Sequence, residues 1–379
     1  MPMALARTPL PKAGPPLVTW PPPPGASGYL WPVMMKRTTR ALLSGALAIG
    51  LFGGCSSDLD VTAPYEQITV VYGLLDRNDN LHWVKINKAF LGDGDAYQYA
   101  SIPDSTEYRG EELSGFVANV EADGSPGGEQ YPLRDTIVDR VPGLFAYPQH
   151  KMYCFNANLN EDTRYGVFLN VKGKTVRAYT NLVNDFLVQS ATGNLNTAIN
   201  FVIGGSYVPY SPKWFTGDNG KRYEVSFRFH YDEVKADGTT ELNKTFTSLI
   251  GTQVTSGAGG DLLEVSLNGE LFYQAVRSNI PPAAESGVTC RYFRGIDLLW
   301  AVAGPDLHTY LLLANPISGI VEERPDYSNI EGGFGLFSSR LFKMVGSDNG
   351  DQNTRKALGP ASLDELVSGQ YTGDRGFCY

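Results

Sequence analysis

An all-β fold with minor short helices is what this sequence predicts, on three observations. Apolar side chains recur at every second position in several separate runs, the period that puts them on one face of a strand. Gly, at 42 of 379 residues, and Pro, at 24, punctuate the chain, as frequent turns require. Helical periodicity surfaces in only two short stretches.

Taken in order, the first runs are 67–75 (QITVVYGLL) and 81–90 (LHWVKINKAF), separated by Asp76-Arg77-Asn78-Asp79-Asn80, a turn composition. Next come 115–121 (GFVANVE) and the pair 165–171 (YGVFLNV) and 174–180 (KTVRAYT), which Lys172-Gly173 joins as a hairpin. Residues 181–200 break the alternation and mark a boundary. The division gives a β-sandwich domain over 64–185 and a second β-rich domain over 186–345, two sandwich-like units in all. In the cleanest strand, 221–231, Tyr223, Val225, Phe227, Phe229 and Tyr231 face one way. Glu224, Ser226, Arg228 and His230 face the other, so His230 reads as solvated surface. The helical stretches are 269–279, capped by Asn268 with Leu271, Phe272, Ala275 and Val276 on one face, and a capping box at Ser362-Leu363-Asp364-Glu365. That box opens a short helix through Val367 within a tail over 346–379.

The N-terminal region carries a different message. Lys36, Arg37 and Arg40 precede an uncharged run from Ala41 to Gly54, about the length of a signal-peptide core and too short for a finished membrane span. It ends in Leu51-Phe52-Gly53-Gly54-Cys55, which resembles the lipobox of bacterial lipoproteins. The resemblance implies cleavage between Gly54 and Cys55 and lipid on Cys55; Phe52 is bulkier than the family's usual residue there. A signal peptide begins at its own methionine, so Met34 or Met35 is the expected start. Residues 1–33 then form a disordered Pro-rich upstream extension, 34–54 the signal peptide and 55–63 a lipidated tether.

Residues 1–54 hold five basic side chains and no acidic ones, so their removal takes the formal net charge from −9 to −14. Such a balance argues against nucleic acid as a partner, because phosphate binding needs basic patches. It leaves the lipid as the means of membrane attachment. With Cys55 acylated, Cys154, Cys290 and Cys378 allow one disulfide in three pairings. Cys290 with Cys378 is favoured because both fall in the C-terminal half, and three buried free thiols are the alternative.

Chemistry-bearing motifs are sparse. The mature chain contains no G-x-S-x-G, H-E-x-x-H or C-x-x-C, and no cofactor fingerprint. Asp76–Asn80 spaces oxygen ligands as the first half of a calcium loop does, yet Asn87 stands where the distal Glu belongs. Gly92-Asp93-Gly94-Asp95 and Ser347-Asp348-Asn349-Gly350-Asp351 likewise read as loops, so no metal site is expected. Gly332-Gly333-Phe334-Gly335 lacks the Lys-Ser/Thr of a phosphate cradle and reads as close backbone approach. The adjacent carboxylates Glu111-Glu112, Glu322-Glu323 and Asp364-Glu365 are no catalytic pairs as such, since neighbours on a strand point to opposite faces. Aromatic residues make up 12% of the chain. Tyr207, Tyr210, Trp214 and Phe215, in Pro/Gly-rich surroundings, are the candidate binding residues for a sugar or peptide.

Four stretches together resemble a family of uncharacterised Bacteroidota outer-membrane or surface lipoproteins, known as a domain of unknown function. They are ITVVYGLLD at Ile68–Asp76, VKINKAF at 84–90, FRFHY at 227–231 and NIEGGFGLFSSR at 329–340. The resemblance implies an outer-membrane setting, periplasmic or surface-exposed, and a TonB-dependent receptor or other envelope protein as partner. It supplies no activity and no catalytic residues. Cys55-Ser56-Ser57-Asp58-Leu59-Asp60 also resembles the surface-export signal of that group. The expectation is a non-catalytic, lipid-anchored binding or accessory module. A hydrolase acting on glycan or peptide, and a structural or adhesive envelope component, are the alternatives.

Overall fold

The computed structural model describes residues 67–89, 96–189, 198–314, 326–345 and 355–379. Segments 1–33, 34–54 and 55–63, with Gly54 and Cys55, lie outside the described residues, as do the loops at 92–95 and 347–351 and the pair Glu322-Glu323. Residues Pro64–Tyr379 form one compact unit.

Its elements run β1 (Ile68–Asp76), β2 (Leu81–Ala89), α1 (Ala96–Ala100), α2 (Pro103–Thr106), β3 (Leu113–Val120), β4 (Pro126–Pro132), β5 (Arg134–Asp139), β6 (Gln149–Asn156), β7 (Arg164–Val171), β8 (Lys174–Asn181) and β9 (Leu187–Gln189). Then come β10 (Val202–Ile203), β11 (Ser206–Tyr207), β12 (Pro209–Tyr210), β13 (Lys213–Phe215), β14 (Arg222–Lys235), β15 (Thr240–Val254), β16 (Leu262–Glu264) and β17 (Leu267–Asn268). The last are α3 (Gly269–Asn279), α4 (Ala283–Ser286), β18 (Val288–Ala303), α5 (Pro305–Ala314), β19 (Phe334–Val345), α6 (Pro360–Ser368) and β20 (Phe377–Cys378). The all-β class is thus what forms.

A nine-stranded sheet in the order β15-β14-β18-β19-β1-β2-β6-β5 is the frame, with β20 beside the first part of β18. All its pairings are antiparallel except β1 with β19 and β18 with β20. A second sheet, β4-β3-β7-β8, lies over one end. Its hairpin turns at Lys172 (φ 51°) and Gly173 (φ 83°), both left-handed, as the twist of a two-residue hairpin demands.

Buried side chains form two clusters. Val71, Val84 and Phe337 of the large sheet meet Val117, Val167 and Leu169 of the second sheet. Phe227, Phe229 and Trp300 of the large sheet meet Trp214, Phe272 of α3 and Leu366 of α6. The first cluster's run along the chain reaches Leu182 and the second begins at Val183, close to the boundary read at 185. The sheet does not divide there, because β19 pairs with β1 in register from Val70↔Phe334 to Asp76↔Arg340. Gly335 allows this: its φ is +121°, and an added Cβ would stand 2.1 Å from the Val71 carbonyl oxygen. The glycine run is therefore a backbone-contact device.

Asn268 caps α3 through Glu270 N at 2.8 Å, and Phe272 and Val276 are buried as their spacing implies. Leu271 departs from that reading, with 56% of its surface exposed and Tyr273 buried in its place. The second helix also departs from its reading. It begins at Pro360, whose missing N–H costs nothing in a first turn, and Ser362 is buried inside it. Instead of capping, the Ser362 hydroxyl accepts from Phe201 N (2.8 Å) and Val202 N (3.1 Å), tying α6 to β10. Cys290 is bridged to Cys378, which settles the pairing the sequence left open, and Cys154 is a half-buried free thiol.

Candidate functional site: the outer face of the large sheet

Strand register decides which side chains share the face turned away from the cores. Val71, Val84 and Trp300 point inward, so their neighbours Tyr72, Trp83 and Ala301 point out. Tyr72 pairs with Lys85 and Leu336, Arg340 with Asp76 and Ala303, and Phe342 with Ala301. α5 follows β18 directly and lies on this outer face, where Leu307 N donates to the buried Ser338 Oγ at 3.1 Å. A Pro at its first position and Asp306 in its first turn suit a helix start.

Between α5 and strands β1 and β2 lies a groove of about 330 Å³, walled by Tyr72, Trp83, Tyr310 and Leu81, with Asp79 and Arg340 also lining it. Tyr72 and Trp83 keep 37% and 38% of their surface exposed, so the groove is neither core nor ordinary polar surface. The Tyr72 and Tyr310 rings meet edge to face at 6.2 Å. Burial, then the negative influence of Tyr310, raises the Tyr72 phenol above its usual pKa, keeping it a neutral donor. Past these two rings the groove continues toward Asp326 and Tyr327 in a further 180 Å³. The Tyr327 hydroxyl donates to Asp306.

Arg340 rests its guanidinium over the Phe342 ring at 4.9 Å, and its buried Nε has no hydrogen-bond partner among the described residues. Its register neighbour Asp76 is 2% exposed and occupied with backbone, accepting from Asn78 N (3.0 Å) and Phe342 N (3.2 Å). Desolvation raises the Asp76 carboxyl pKa despite those bonds. The Asp76–Asn80 segment is thereby a side-chain-capped turn, as its composition indicates. Among the described residues no three His, Cys, Asp or Glu side chains gather as metal ligands. The groove offers ring faces for stacking, with a cation and a carboxylate beside them for hydrogen bonds.

The four aromatic residues singled out from the sequence sit elsewhere. Trp214 is fully buried against Tyr223 and Trp300. Tyr210 stands edge-on to Phe201, and burial pushes its phenol up to about 12. Tyr207 donates to Glu365 Oε1 at 2.6 Å and packs beside Tyr273 and Tyr371. Of the four, Phe215 is the exposed one, at 37%. The rings of the groove were hinted at by phase alone, since Tyr72 and Trp83 occupy alternation positions where a solvent face expects polar residues.

His230 is a correction. It is 5% exposed rather than solvated, with Nε2 2.6 Å from Oδ2 of the equally buried Asp297. Opposite it in register is Gly295, which offers no side chain, and the ring reaches diagonally to Asp297. No family model matches the chain, and no curated protein matches it.

Proposed function

We propose that this chain is a lipid-anchored, non-catalytic binding module of the outer membrane that holds a glycan or peptide in the groove between α5, β1 and β2. The observation that carries the reading is the set of half-exposed rings Tyr72, Trp83 and Tyr310 around a cavity with Arg340 and Asp79 beside them. Aromatic faces with a few placed polar groups are what a stacked sugar or an aromatic peptide side chain needs. A hydrolytic reading would need a histidine free to act in the groove. His82 is among its lining residues, but it is 2% exposed and its Nε2 lies against the Ala157 carbonyl at 3.1 Å; His230 with Asp297 lies outside it. We take the two buried clusters as two sandwich-like lobes sharing one sheet. Anchoring through Cys55 rests on the lipobox-like sequence and the family resemblance, as does an envelope receptor as partner. The Cys290–Cys378 bridge suits an oxidising compartment.

Two measurements test this. Trp83→Ala should leave the thermal midpoint nearly unchanged and weaken any glycan or peptide found by array screening by about 2 kcal/mol, roughly thirtyfold. An unchanged affinity would remove the groove from consideration. Cys55→Ser, expressed from its full reading frame, should shift the protein from the membrane to the soluble fraction; retention there would end the anchoring proposal.

A further inference from the structure

A second groove on the same outer face has its own chemistry. It measures about 270 Å³ and is built on Ser226 and Arg228 of β14, Leu299 of β18, and Phe342 and Met344 of β19. Register places Ser226 opposite Leu299 and Arg228 opposite Asp297. The floor is apolar: Leu299 and Met344 are half-buried, and Phe342 keeps 52% of its surface exposed.

Arg228 is the unusual member. It is half-buried, and while its backbone pairs with Thr247 and Asp297 in the sheet, its guanidinium makes no hydrogen bond or ion pair with another described residue. The neighbouring charges are otherwise engaged. Asp297 turns to His230 at 2.6 Å, Glu224 is held by Arg222 at 2.8 Å, and Lys343 reaches Asp185 at 2.8 Å. A guanidinium fork partly withdrawn from water, with its donors unspent, favours a planar anion that can accept two bonds. In a chain of net charge −9, a cation left unpaired over an apolar floor is complementary to a ligand that joins an apolar body to one carboxylate.

We propose that this groove binds an apolar monocarboxylate, its carboxylate on Arg228 and its body over Leu299, Phe342 and Met344. Such a ligand comes as an alkyl carboxylate or as the C-terminus of an apolar peptide, and the recognition chemistry is the same. Ser226 stands one same-face position from Arg228 along β14, where its hydroxyl can add a bond to the second carboxylate oxygen.

Calorimetric titration of the purified full-length chain at low salt, with decanoate and with N-acetyl-Leu-Phe, reads the site. At least one should bind, and the tighter of the two identifies the source. Decan-1-ol, the same alkyl body without charge, should bind at least tenfold more weakly than decanoate if decanoate is the ligand. Arg228→Met keeps most of the apolar stem and should cost at least tenfold in carboxylate affinity, whereas Arg228→Lys should recover part of it. Phe342→Ala should weaken binding through the floor, with circular dichroism confirming that each variant is folded. Binding of neither carboxylate, or equal binding by wild type and a folded Arg228→Met, would overturn the assignment.

Discussion

His82 shows how a single buried group ties stability to pH. It is 2% exposed, its Nε2 lies 3.1 Å from the Ala157 carbonyl, and its ring stacks on Phe155 at 4.9 Å. Nδ1 is buried and has no partner among the described residues, so a second proton would add a donor with no acceptor there. Burial lowers the His82 pKa below its ordinary value, and His150 and His308 shift the same way for the same first reason. A depressed imidazole pKa contributes stability that is fully present above the unfolded value near 6.5 and is lost as pH falls through the folded value. The urea midpoint should therefore drop between pH 7.5 and pH 5. His82→Gln, which can still donate to Ala157, should flatten part of that slope; an unaltered slope would show that His82 takes no part.

Strands and helices differ in how openly the sequence announces them. β1, β2 and β8, and β14 as far as Arg228, bury one face and leave the other more open, so their alternation survives in the residue string. From Phe229 to Glu233 β14 is buried on both faces. β19 does not alternate, because Leu336, Phe337, Ser338 and Ser339 are all buried between the core and α5. β18 is similarly covered along Gly295–Leu298, and its register slips against β14 near His230. The β1–β19 pairing depends on a single glycine. Gly335→Ala should destabilise the fold by about 1–3 kcal/mol from backbone strain alone, with the clash against Val71 adding to it. Denaturant midpoints measure this; a neutral substitution would mean the β1–β19 pairing bends to accept a side chain.

For the whole molecule, the candidate site was the least legible part, since Tyr72, Trp83, Tyr310 and Arg340 are collected by register from four elements and form no motif. Residues 64–185 carry most of the first buried cluster, yet Ile330 and Phe337 complete it from far along the chain. A fragment ending at residue 185 should accordingly fail to give a cooperative thermal transition, and a sharp transition from it would show an independent first domain. The β1–β19 pairing has a further consequence for biogenesis. While the chain is being made, β1 presents an unpaired edge until more than 260 later residues have emerged, the situation in which strands recruit wrong neighbours. Contacts of such sequence separation also slow folding. Covering the nascent β1 edge should therefore raise the yield of folded chain without changing its final stability.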